Sequence, residues 1–176
     1  MNTAQKTIQP IRAFLVLSLI FLGLGVQAVA IPPSGELVNP YEKAPIVFQI
    51  GESPELFESL SSIYAQPLIT ACNEDMNEAF SHWLTLFKDL ENFAIDREFN
   101  INGVKIWIKV FWNPDGLIDH MAFHLKPNSK NIDVQAFSLI LEEFVSTYQL
   151  KVQSDAPFSH YGSASFPTMY RRIISE

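Results

Sequence analysis

One stretch, residues 103–125, GVKIWIKVFWNPDGLIDHMAFHL, constrains the fold more than any other part of this chain. Val104, Ile106, Ile108, Val110 and Trp112 alternate with Lys105, Trp107, Lys109 and Phe111. Such strict period-two alternation of β-branched and aromatic residues marks a strand with two different faces. Asn113-Pro114-Asp115-Gly116 then reads as a turn. Proline presets φ, Asp bonds its own backbone, and Gly takes the left-handed conformation that closes a type I turn with a bulge. Pairing Trp112 with Leu117 puts Val104 opposite Leu125, Ile106 opposite Phe123 and Ile108 opposite Met121 on one face. Lys105 then faces His124 and Lys109 faces His120 on the other.

Helical periodicity surrounds this hairpin. Ser53 and Pro54 open a helix whose stripe is Leu56, Phe57, Leu60, Ile63 and Tyr64, ending before Pro67. Asp75 with Glu78 three residues on starts a second helix, about 75–93, with Met76, Phe80, Trp83, Leu84, Phe87 and Leu90 as its apolar stripe. A third helix, about 132–149, carries Val134, Phe137, Ile140, Leu141, Phe144, Val145 and Tyr148. The segment 163–170 alternates like a strand but contains Pro167, which cannot donate to a ladder on its inner side, and so belongs at a sheet edge. The return along the helix sets it antiparallel to the first hairpin strand, in the order second, first, third. A short strand at 46–50 is also expected. The fold class is therefore α+β: a two-layer domain with a small antiparallel sheet, hairpin plus edge strand, on two helices, with an extra N-terminal helix.

The leader is distinct. Lys6 and Arg12 precede an uncharged apolar run at 13–26, and Ala28-Val29-Ala30 follows, the three-part layout of a secretory signal. Residues 1–30 are read as a signal peptide, 31–53 as an extended lead-in with four prolines, and 54–176 as one domain. An uncleaved membrane anchor is the rival, although the run falls short of the ~20 residues that span a bilayer. The destination is periplasmic or secreted, with membrane contact only through the leader if it is retained. Removing 1–30 takes Lys6 and Arg12 and no acid from 12 basic and 19 acidic residues, moving the net charge from −7 to −9. Such a surface repels phosphate backbones, so nucleic acid is excluded as a partner.

Sites for chemistry are scarce. On a strand, His120 and His124 stand ~13 Å apart, too far for one ion, so no metal and no cofactor is expected. Cys72, the single cysteine, precedes a helix start but lies beside Glu74 and Asp75 and has no evident histidine partner. It reads as a small buried residue. Glu142-Glu143 point about 100° apart on a helix, and the 160–165 run HYGSAS has no nucleophile elbow. No catalytic set emerges, and the chain is not expected to be an enzyme. Trp107, Phe111, Ile118 and Ala122 form an apolar patch on the second sheet face; either residues 46–72 cover it or Trp107 and Phe111 are a contact surface.

Residues 92–172 resemble the C-terminal domain of TonB and its relatives. The shared features are Ile101-Asn102-Gly103 before an alternating strand, Pro114-Asp115-Gly116 at the turn, Ile118-Asp119 opening the second strand, and Asp133 and Ala136 leading an amphipathic helix. The family's Tyr-Pro pair is replaced by Asn92-Phe93, and no long Glu-Pro/Lys-Pro linker is present. The resemblance implies an exported, cell-envelope protein-interaction domain rather than an energy transducer. On this reading a protein partner in the cell envelope adds an extended segment to edge strand 163–170, contacting Phe166, Thr168 and Tyr170. The alternative is a small apolar ligand held between helices and sheet around Trp83, Trp107 and Trp112.

Overall fold

The computed structural model describes residues 44–168. The leader and Tyr170 lie outside the described residues, as does most of the lead-in. The order of elements is β1 (Val47–Gln49), α1 (Pro54–Ile63), β2 (Gln66–Pro67), α2 (Leu68–Ala71), α3 (Met76–Asp96), β3 (Lys105–Trp112), β4 (Ile118–Leu125), α4 (Val134–Thr147) and β5 (Phe158–Ser165). The fold is α+β, with one open sheet of five strands in the order β1-β4-β3-β5-β2.

The hairpin and the antiparallel placement of the last strand beside β3 are as the sequence pattern requires. The sheet is nonetheless mixed rather than antiparallel, because β1 adds parallel to β4 and β2 adds parallel to β5. β1 is the short strand expected at 46–50, whereas the two-residue β2 leaves no periodicity to read.

The hairpin register differs from the expected one. Ile106 faces Leu125, Ile108 faces Phe123 and Val110 faces Met121, while Trp107 faces His124 and Phe111 faces His120. A bulge between Phe111 and Trp112 leaves Asp119 as the extra residue opposite them. The displacement is two residues, so parity is kept and the apolar set stays on its face. Lys105 and Lys109 therefore do not sit opposite the histidines. His120 is buried and its Nδ1–H donates to the Pro45 carbonyl at 3.0 Å; exposed His124 stacks on Trp107.

Helices α3 and α4 pack on the face that carries Ile106, Ile108, Val110 and Phe123, forming the main core. Asp75 and Asp133 cap them, each side chain accepting from two backbone N–H groups of the first turn. In α3 the buried line is Ala79, Trp83, Leu86, Phe87, Leu90 and Ala94, whereas Met76, Phe80 and Leu84 are exposed. On the other face α1 covers Phe111 and Ala122 with Leu60 and Tyr64, both residues of the sheet being fully buried. Phe111 is thus not a contact surface, and Ile118 belongs to the main core. Trp107, beyond the reach of α1, is half-buried, with the Lys126 ammonium 5.5 Å from its ring.

The turn is closed by Asn113, whose side chain accepts from the N–H groups of Asp115 and Leu117 at 3.0 and 3.1 Å. Gly116 sits at φ +80°, and a Cβ there would stand 2.2 Å from the Leu150 carbonyl oxygen. That oxygen is backbone and cannot swing away. Gly116→Ala combines left-handed strain with this clash, and we expect it to cost about 2–4 kcal/mol, read as a lower denaturant midpoint at unchanged slope.

Candidate functional site

The sheet's last strand is the two-residue β2, and beyond Ser159 its edge is β5. In β5, Phe158 stacks on Trp112 at 5.3 Å inside the core. β2 covers only the first two residues of β5, Gln66 pairing with Phe158 and Pro67 with Ser159. The Ser159 hydroxyl donates to the Tyr64 carbonyl at 2.8 Å, and Gln66 Nε2 donates to the Ser154 hydroxyl at 2.8 Å. Past Pro67 the chain turns into α2, and no described strand continues along β5.

The Phe166 N–H donates to the Val104 carbonyl at 2.9 Å. This fixes the alternation of the β3–β5 ladder: His160, Gly162 and Ala164 bond inward to β3, while the backbone groups of Tyr161, Ser163 and Ser165 point outward. Tyr161 is 53% exposed and Ser163 is exposed. This is an open β edge of about five residues.

Helix α3 lines the edge with apolar side chains. Trp83 packs against the strand at Gly162, where an added Cβ would meet the indole at 3.0 Å; a larger residue would push ring and strand apart. The indole contacts the His160 ring at 4.6 Å and Phe87 at 4.6 Å, both edge-on. Outside it, Met76, Phe80 and Leu84 are 66%, 59% and 46% exposed at helical spacing. A shallow apolar hollow of about 180 Å³ lies between Ile69, Phe80, Trp83 and His160. Ligand pockets usually hold ~300–1,000 Å³. Trp83 and Trp112 share the main face while Trp107 lies on the other, so the three tryptophans do not line one cavity.

The residues expected to touch a partner are placed differently. Phe166 is 3% exposed and packs against Phe87 at 6.3 Å. Thr168 lies past the end of the strand, where its N–H and hydroxyl both donate to the buried Glu91 carboxylate at 2.9 and 2.6 Å. The strand runs 158–165, not 163–170, and ends before Pro167. The accessible edge is therefore carried by Tyr161 and Ser163, and the sequence signal for it was the alternation of HYGSAS itself.

Two further groups come together only in the fold. Tyr64 is buried and donates to Asp119 Oδ2 at 2.8 Å; burial, then that hydrogen bond and the carboxylate charge, push its phenol well above the usual range. Cys72, Glu78 and His82 bring a sulfur, a carboxylate oxygen and a ring nitrogen within 4.8 Å of one another. Burial, and then the charges of Glu78 and Asp75, push the Cys72 thiol up. The signal for this group was the four-residue spacing of Glu78 and His82 on a helix whose start is fixed by Asp75.

Burial pushes the His160 imidazole below its ordinary value. The folded state therefore favours the neutral ring, and stability present above the unfolded value of about 6.5 falls as pH drops through it. Urea midpoints of wild type and His160→Gln, followed from about pH 7.5 to about 5.5 (one unit either side of that value), are expected to converge toward acid, because only the wild type takes up this proton on unfolding. No family model, no curated protein and no solved structure matches this chain.

Proposed function

We propose that the chain is an exported, cell-envelope protein-interaction domain that binds an extended partner segment by strand addition at residues 161–165, and that it is not an enzyme. The observation that carries this reading is the open edge of β5 beyond Pro67, flanked by the exposed Met76, Phe80 and Tyr161. An unpaired row of backbone donors and acceptors supplies binding energy to any extended chain, and neighbouring apolar side chains supply selectivity. Supporting it further, the strand–strand–helix–strand order of 105–165 is what the resemblance to the TonB C-terminal domain implies. The signal-like leader agrees with an envelope setting. The −7 net charge disfavours nucleic acid.

The test uses the direction of one N–H. Ser163 points its N–H away from β3, so Ser163→Pro deletes an outward donor and leaves the inner ladder intact. With detergent-extracted envelope from the source cells, amide exchange at 161–165 is expected to slow in the wild type, and capture of the bound protein is expected to fall at least about tenfold in Ser163→Pro. Bound protein with unchanged exchange at 161–165, equal capture by the variant, or no capture by the wild type would each overturn the reading.

A further inference from the structure

The turn between α2 and α3 gathers three side chains of metal-ligating type from two elements. Cys72 ends α2 and is 1% exposed, held by its own N–H donating to the carbonyls of Leu68 and Ile69. The chain reverses through Asn73 and Glu74, both at positive φ, and the Asp75 N–H returns to the Cys72 carbonyl at 2.9 Å. Helix α3 starts there, so Glu78 and His82, one turn apart, project from the same face. His82 Nε2 lies 3.6 Å from Glu78 Oε1, and the Cys72 sulfur completes a triangle with no side longer than 4.8 Å.

We propose that Cys72, Glu78 and His82 form a three-ligand site for Zn²⁺, with the fourth coordination position open to the outside. Bonds of ~2.0–2.3 Å in a tetrahedron set ligand atoms ~3.3–3.7 Å apart. The His82–Glu78 pair already has that spacing, and the remaining sides close by at most ~1.5 Å. Glu78 is exposed and His82 half-buried, so both have room to rotate onto an ion while the packed Cys72 stays fixed. Thiolate plus carboxylate carries two negative charges, which a divalent cation neutralises and a neutral imidazole leaves unchanged. Sulfur and imidazole together select zinc over magnesium or calcium, which prefer oxygen throughout. Binding displaces the thiol proton to solvent, with no change of oxidation state. The ion ties α2 to the first turns of α3, beside the hollow at Phe80 and Trp83.

Because the chain holds one cysteine, cobalt reports on it without ambiguity. The metal-free full chain, kept reduced by a phosphine, is titrated with Co²⁺ and then with Zn²⁺. The expected result is a thiolate-to-cobalt charge-transfer band that saturates at one equivalent, is erased by Zn²⁺ and is absent in Cys72→Ser. His82→Gln and Glu78→Gln, which alter side chains outside the core, are expected to weaken Co²⁺ binding at least about tenfold with unchanged circular dichroism. They keep the test decisive should Cys72→Ser misfold. No band in the wild type, a band retained in Cys72→Ser, or wild-type affinity in both glutamine variants would overturn the site.

Discussion

Strand β3 is the piece on which the rest is hung. Among the described residues it is the one strand hydrogen-bonded on both sides along nearly all of its length, to β4 from Ile106 and to β5 from Lys105, through Trp112 in each case. Its residues are also enclosed above and below: Ile106, Ile108 and Val110 are fully buried under α3 and α4, and Phe111 under α1. A strand dry on both faces at one end and on one face at the other forces the helices to distribute unevenly. The consequence is the half-open second face at Trp107, where His124 stacks on the indole in place of a helix.

The second face also shows how a lysine is accommodated near a core. Lys109 points under α1, donates to the Ser61 hydroxyl at 2.8 Å and stands 5.2 Å from the rings of Phe57 and Phe111. Burial pulls its ammonium down from the ordinary lysine range. The aliphatic stem covers apolar surface while the head keeps a donor contact and two aromatic faces, a division of labour expected of long cationic side chains.

Much of this was legible in the sequence for reasons of period. The alternation in β3, the Pro-Asp-Gly turn and the stripes of α3 and α4 each repeat often enough to specify a face. What could not be read is what has no repeat. The bulge at Asp119 moves the register by one without any change in composition, and β2 is two residues long. In α3 the eye follows Met76, Phe80 and Leu84 because they are large, yet the buried line runs through Ala79, Leu86 and Ala94. Ala79 and Ala94 let the helix sit close to the sheet beside buried Trp83 and Phe87, while Met76, Phe80 and Leu84 are turned outward. The approach of Cys72 to Glu78 and His82 depends on a reversal at two left-handed residues, neither of them glycine.

On the proposed reading, Pro67 limits the length of segment that this edge would accept. β2 stops there because proline has no N–H to offer and the chain departs into α2. A guest segment would lie in line with β2, as though finishing a strand the protein began. From Tyr161 to Ser165 that track is ~13 Å long at ~3.3 Å per residue. So short a ladder binds weakly through backbone alone, so discrimination among guests would fall to the two or three side chains that reach Phe80, Trp83 and Tyr161.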